Sequence, residues 1–175
     1  MEGQKALITD FIYGNQAALY RLAFAYTRSR EAALDIVQDT VVQALTHAAS
    51  LRSAEAVKPW VYRILVNESL AYLRRNKRFL FVETLPEQQA EDADIGERLD
   101  VYRAVERLDP KLRTVVMLRF YEDMKLEDIA HITGANLSTV KSRLYTALGR
   151  LREELGCDIG LKARRKEGDG IEIHT

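Results

Sequence analysis

Between Leu126 and Leu155 the chain carries two apolar patterns at helical spacing, separated by Gly134-Ala135-Asn136. No other stretch restricts the possible folds so tightly. Leu126, Ile129, Ala130 and Ile132 form the first pattern. From Ser138 onward Val140, Leu144, Leu148, Leu151 and Leu155 form the second. Two short amphipathic helices around a tight turn cannot bury both stripes alone, so they need further helices to pack against. The outline is that of a helix-turn-helix.

The second helix can be read position by position. At about 100° per residue, Val140, Leu144, Leu148 and Leu151 share the stripe that faces the domain. Ser142, Tyr145, Thr146 and Gly149 point away from it, with Lys141 and Arg143 on its flanks. Ser138 is the expected N-cap, leaving a helix N-terminus free to face a phosphate. Hydroxyls, an aromatic ring and cations on one face are groups that bond base edges and phosphates. In the known motif such a helix lies in the DNA major groove. The plainer alternative is a helical hairpin with a solvated outer face.

Twenty-six basic and 26 acidic residues give a net charge of zero, which alone argues against a nucleic-acid binder. The charges are nevertheless partitioned. Residues 1–80 carry eleven Lys/Arg against seven Asp/Glu, a net of +4. Residues 81–100 carry one against seven, a net of −6, and residues 101–155 ten against eight, a net of +2. The acidic strip lacks the apolar content to bury itself and reads as a flexible linker. The expected organisation is therefore a first domain over 1–80, a linker over 81–100, a second domain over 101–156 and a disordered tail over 157–175. The linker is either a solvated spacer or a mimic of nucleic acid for a positively charged channel on a partner.

The first block reads as helices over Ala6–Tyr13, Gln16–Thr27 and Glu31–Ala48, then a polar loop from Ala49 to Lys58, and a fourth helix continuing from Trp60. Pro59 suits the first turn of that helix. No strand alternation appears, and the fold class is all-α. The fourth helix carries Trp60, Tyr62, Arg63 and Asn67, groups that stack on or bond to unpaired bases. It runs into Arg74-Arg75-Asn76-Lys77-Arg78, cations that can grip phosphates or complement the helix dipole. For Trp60 alone, core packing is the simpler reading.

Nothing in the sequence suggests catalysis. His47, His131 and His174 are scattered, no metal-ligand spacing or phosphate loop occurs, and no cofactor is expected. Cys157 stands alone, which excludes an intrachain disulfide. No stretch reaches the ~18–20 apolar residues of a membrane span, and no signal-peptide pattern opens the chain, so a cytoplasmic location is expected.

Three segments resemble an extracytoplasmic-function sigma factor of the sigma-70 family. Ala33-Leu34-Asp35-Ile36-Val37-Gln38-Asp39-Thr40 resembles the family's core-polymerase-binding helix. Lys58 through Asn67, followed by Leu73-Arg74-Arg75, resembles its −10 recognition helix. Leu108-Asp109-Pro110-Lys111-Leu112-Arg113 through Thr139-Val140-Lys141-Ser142-Arg143-Leu144 resembles its −35-binding domain. The resemblance implies that Asp35, Gln38 and Asp39 contact bacterial RNA polymerase core. Lys58, Trp60, Tyr62, Arg63, Asn67, Arg74, Arg75, Lys77 and Arg78 would hold the single-stranded −10 element, with the loop from Ala49 to Lys58 receiving a flipped base. Ser138, Thr139, Lys141, Ser142, Arg143, Tyr145 and Thr146 would read duplex −35 DNA, and Arg119 would contact its phosphates.

It further implies an acidic linker threaded toward the RNA exit channel and an anti-sigma factor, membrane-anchored, as a second partner. Thr146 stands where the family often has Arg, and Thr lacks the bidentate pairing that Arg makes with guanine. Asp123 is the expected cap of the first motif helix, where Lys125 replaces the usual Ser or Thr. The competing reading is a stand-alone helix-turn-helix regulator, which would account for 101–155 and leave the first domain unexplained. A helical adaptor without a DNA role would leave the cations beside Trp60 and Tyr62 unexplained.

Overall fold

The computed structural model describes residues 2–76 and 96–156, with side chains in the second segment from Asp100 onward. The described residues are helical throughout, without strands, as the periodicities predict. The greater part of the expected linker and the tail from Cys157 lie outside them.

The first unit contains α1 (Glu2–Gly14), α2 (Gln16–Thr27), α3 (Arg30–Thr46) and α4 (Val57–Asn76). The loop before α4 is made of two 3₁₀ turns, Ala48–Ser50 and Ala54–Ala56. Helix α4 begins three residues before Trp60, so Pro59 sits in its first turn, where no intrahelical donor is lost. Ser29 caps α3 by accepting from the Ala32 amide at 3.4 Å. Helix α2 ends with Arg28 in the left-handed region (φ 52°), its amide bonded to the Phe24 carbonyl at 2.8 Å.

Ile8, Leu19, Leu22, Ala33, Ile36, Ala44, Val61 and Leu65 form the dry centre of this unit. Two buried hydroxyls in it, Thr40 and Ser69, donate to the carbonyls of Ile36 and Leu65, each at 2.7 Å. They therefore carry no unmet hydrogen bond.

The second unit contains α5 (Gly96–Arg107), α6 (Pro110–Val116), α7 (Leu126–Thr133) and α8 (Leu137–Leu155). Helix α5 opens inside the segment read as linker, five residues before the expected domain start. Its acidic first turn looked like solvated chain, but Val101, Ala104 and Val105 give it an apolar face, and the last two are buried. Pro110 opens α6, whose end widens into a π-type turn over Met117–Tyr121.

Val140, Leu144, Ala147 and Leu151 are the buried side of α8. Ala147 replaces the expected Leu148, which is only partly buried. At 100° per residue Ala147 lies nearer the centre of the stripe, and a small side chain there lets α6 approach closely. Ion pairs Arg107–Glu154 and Arg150–Asp109, the latter at 2.9 Å, tie α8 to the start of the unit. Arg150 and Asp109 are exposed, so that pair contributes little to stability.

The two units touch along α4 and α7. Truncating Leu144 to Ala, at a side chain 2% exposed, is expected to cost about 2–5 kcal/mol. Tyr145→Ala, next along the helix but 47% exposed, should stay within about 0.5 kcal/mol. Thermal or urea unfolding of both variants checks the assignment of faces; equal losses would refute it.

Candidate nucleic-acid interface

The outer face of α8 is assembled by the turn before it. Gly134 closes α7 in the left-handed region (φ 64°), where a side chain would be strained. Asn136 then caps α8 by accepting from the Thr139 amide at 2.7 Å. The cap is thus Asn136, two residues before the expected Ser138, which already lies inside the helix. Both residue types cap well; the Gly134 turn decides between them by bringing the extended backbone conformation to Asn136. Asp123 does not cap α7 either. It is itself left-handed (φ 49°), and Lys125 occupies the cap position without a side-chain bond.

Ser138, Ser142, Tyr145 and Thr146 are exposed, while Thr139, Lys141 and Arg143 are half-buried at the edges. This gathers the expected −35 residues of α8 on one continuous surface. Arg119 stands apart from it on the π-type turn, where its guanidinium donates to the Met124 carbonyl at 2.9 Å.

On the first unit, a cleft of about 290 Å³ opens between the C-terminal part of α3 and α4. Trp60, Arg63, Ile64, Asn67 and Glu68 line one wall, and Gln43, His47 and Ser50 the other. Trp60 is half-buried, packed against the core on one side and lining the cleft on the other. His47 and Gln43, which sequence reasoning left unassigned, add polar groups. Their signal was the polar side of α3 continuing past Asp39 through Gln43 to the C-cap His47. Arg74 and Arg75 are exposed in the last turn of α4, where the cations complement the helix dipole. Lys77 and Arg78 lie outside the described residues.

Tyr62 does not share this surface. It is fully buried, and its hydroxyl donates to the Glu122 carboxylate of the second unit. Lys58, likewise expected to face DNA, donates to the Glu122 carbonyl at 2.6 Å. Arg63 is exposed, with its guanidinium 3.4 Å from the His131 ring. Proximity in sequence groups Tyr62 with Trp60 and Asn67; helical periodicity puts it on the far side of α4, among Val61, Leu65 and Val66, with its hydroxyl on Glu122.

Helix α3 presents Asp35, Gln38 and Asp39 to solvent, as expected of a partner face. The same face holds Leu34, 43% exposed, and Val42, 61% exposed. Sequence reasoning assigned neither. Their spacing of eight residues around Gln38 could have shown them, since all three fall outside the Ala33–Ile36–Ala44 stripe.

The junction between the units carries several nearly dry polar groups beside the apolar cluster that both units share. Glu122 is only 7% exposed, and its carboxylate meets Tyr62 and, at 3.9 Å, Arg21. Arg113, 8% exposed, donates to the carbonyls of Ala25 in α2 and of Glu106 and Leu108 at the end of α5. Its cation thereby sits against the negative ends of two helices, one from each unit. The Thr114 hydroxyl donates to the Pro110 carbonyl at 2.7 Å and accepts from Tyr26. Burial raises the Tyr26 and Tyr62 phenols far above their usual range, and the Glu122 carboxylate reinforces the shift at Tyr62. Tyr102, stacked edge-on against Tyr121 at 6.3 Å, is pushed up to about 12, chiefly by burial.

Two family models match the chain in order: "Sigma-70 region 2" over residues 12–79 and "Sigma-70, region 4" over residues 98–151. The chain is 39% identical over 153 residues to RNA polymerase sigma factor SigV of Bacillus subtilis, covering 86% of this chain and 92% of that protein. It is 34% identical over 156 residues to the ECF RNA polymerase sigma factor SigM of Mycobacterium tuberculosis, covering 84% and 76% respectively. Among solved structures it is similar to the sigma factor RpoE bound to the anti-sigma factor NepR from Bartonella quintana. That match has a TM-score of 0.70 and 27% identity, over 85% of this chain and 98% of that one.

Tyrosines whose folded pKa is raised stabilise the fold fully below the unfolded value of about 10. That stabilisation is lost as pH rises past it toward the folded values. Thermal stability should therefore fall steeply above pH ~10, and less so in Tyr62→Phe. Calorimetry across pH 8–11.5 checks this; identical slopes in both proteins would contradict it.

Proposed function

From the membership of this chain in the extracytoplasmic-function group of the sigma-70 family, which directs RNA polymerase core to promoters, we propose a division of labour among its surfaces. Ser138, Thr139, Lys141, Ser142, Arg143, Tyr145 and Thr146 read the duplex −35 element. Arg119 supports the backbone once it leaves the Met124 carbonyl. The supporting observation is that α8 keeps its polar residues on one exposed side while Val140, Leu144 and Leu151 hold the other in the core.

The cleft beside Trp60 and Asn67 receives an unpaired base of the −10 element. A cleft of about 290 Å³ lined by the Trp60 ring and the amides of Asn67 and Gln43 can stack and hydrogen-bond one base. Arg74 and Arg75 hold the strand beyond it. Asp35, Gln38 and Asp39, together with Leu34 and Val42, dock on core. Aliphatic groups ringed by carboxylates suit a basic partner surface with a few apolar anchors.

The protein itself performs no catalysis on this reading; it positions DNA for the polymerase. Its place of action is the cytoplasm, and among the described residues no helix is long and apolar enough to cross a membrane. An anti-sigma factor is the second partner we assign, supported by the similarity to RpoE in its complex with NepR. Anchoring of that partner in a membrane rests on family resemblance alone. A stand-alone regulator is not favoured, because it gives residues 12–79 no role.

Run-off transcription with bacterial core polymerase on a promoter library should yield transcripts only when the chain is present. Absence of transcripts and of any complex with core would overturn the proposal. On the promoters so found, Tyr145→Ala and Lys141→Ala should each lower transcription roughly tenfold or more, the loss of one or two base or phosphate contacts. Asn67→Ala should lose activity that a template pre-melted across −10 does not restore.

A further inference from the structure

The cleft between α3 and α4 is walled on both sides by residues at helical spacing. Gln43 and the cap residue His47 stand on one side, Trp60, Ile64 and Glu68 on the other. The Trp60 ring and the amides of Gln43 and Asn67 suit any unpaired base, since an amide both donates and accepts. His47 and Glu68 are more restrictive.

His47 is held in one tautomer. Its ring Nδ1 lies 3.0 Å from the Gln43 carbonyl, the same oxygen to which its backbone amide donates at 2.9 Å. A carbonyl only accepts, so the neutral imidazole carries its hydrogen on Nδ1 and leaves Nε2 as an acceptor. Ser50, beside it, donates its hydroxyl hydrogen to the His47 carbonyl at 2.8 Å.

Glu68 is half-buried, and among the described residues its carboxylate has no ion pair. Arg63, the cation of the same wall, lies against the His131 ring instead. An unpaired carboxylate beside a docked strand repels phosphates and weakens the binding of any nucleic acid. It favours binding only where the base itself donates to it.

We infer that His47 and Glu68 determine specificity in this cleft, together selecting an unpaired base with an exocyclic amino group and no ring N–H, cytosine or adenine. The inference rests on the promoter reading above. An amino group has two hydrogens, one for the carboxylate and one for the imidazole Nε2. The other polar atoms of these bases are acceptors, to which the Gln43 and Asn67 amides can donate. Thymine and guanine put a carbonyl where the amino group would sit. That oxygen would meet two acceptors with no hydrogen between them, so the wrong base is actively rejected.

The test uses holoenzyme, the full chain on bacterial core polymerase, with templates pre-melted across −10. Each melted position carries in turn cytosine, adenine, thymine, guanine or pyrimidin-2-one, which is cytosine without its amino group. At one position, run-off transcription with cytosine, adenine or both should exceed that with thymine or guanine roughly tenfold or more. Pyrimidin-2-one should fall to the thymine level there. Glu68→Gln, whose amide can donate to a carbonyl, should lower this ratio at least several-fold. His47→Phe keeps a ring but loses the acceptor, and should lower the ratio in the same direction. A ratio measured within one protein is unmoved by partial loss of folded chain.

A preference for thymine or guanine that Asn67→Ala abolishes would overturn the selection. A preference for cytosine or adenine that both substitutions leave intact would overturn it equally. In both cases the promoter reading stands. Transcription indifferent to every base would also overturn the selection. If Asn67→Ala were then as active as the unsubstituted chain, the part of the cleft in −10 reading would fall as well.

Discussion

Burial of two charged side chains, Glu122 and Arg113, is the constraint on which the arrangement of this chain depends. An ionised group out of water is tolerated only when paired and hydrogen-bonded. Here most of the pairing comes from across a junction rather than from neighbours in sequence. Tyr62 and Arg21 satisfy Glu122; the Ala25 carbonyl and the end of α5 satisfy Arg113. One nitrogen of Arg113, Nε, is buried without a partner, so the match is close but incomplete. The buried apolar residues of both units belong to one cluster, and the paired charges and hydroxyls add hydrogen-bond matching across it.

This explains why α4 is used on two sides. Val61, Leu65 and Val66 anchor it in the first unit. Trp60 and Asn67 border an open cleft, and Tyr62 faces the second unit. Tyr62 lies within the buried sector, between Leu65 and Val66 around the helix, so its ring packs on Phe11 of the first unit while its hydroxyl reaches Glu122 of the second. The cost is that neighbouring residues on the same helix end up in different environments. A DNA-facing surface and an interdomain surface are then only one residue apart.

The elements were legible because each relies on local periodicity. Stripes such as Val140–Leu144–Leu151 and breakers such as Gly134 place helices and turns without tertiary information. The outer face of α8 followed directly, since residues opposite a buried stripe are exposed by geometry. The failures have equally specific causes. Asn136 and Ser138 are both good caps, and only the backbone after Gly134 separates them. Leu148 outranked Ala147 on hydrophobicity although Ala147 is better centred. Tyr62 and Glu122 are 60 residues apart, and nothing local marks them as partners. Glu122 read alone is one more acid after an aromatic pair; only the approach of α7 to α4 makes it a buried ligand for a phenol. Leu34 and Val42 were hidden for the opposite reason, because aliphatic residues on a helix are assumed to face inward.

Those two aliphatic residues also bear on the colloidal behaviour of the free protein. Bare hydrophobic groups on a helix invite self-association. Here Glu31, Asp35 and Asp39 lie on the same exposed side of α3. Two copies approaching face to face would bring carboxylate against carboxylate before any aliphatic contact formed, and such like-charge encounters are disfavoured. A basic surface meets the opposite situation: it is attracted by the acids and then gains the apolar contact. The acids thus act as gatekeepers of solubility, keeping an adhesive patch dispersed in concentrated solution without having to cover it.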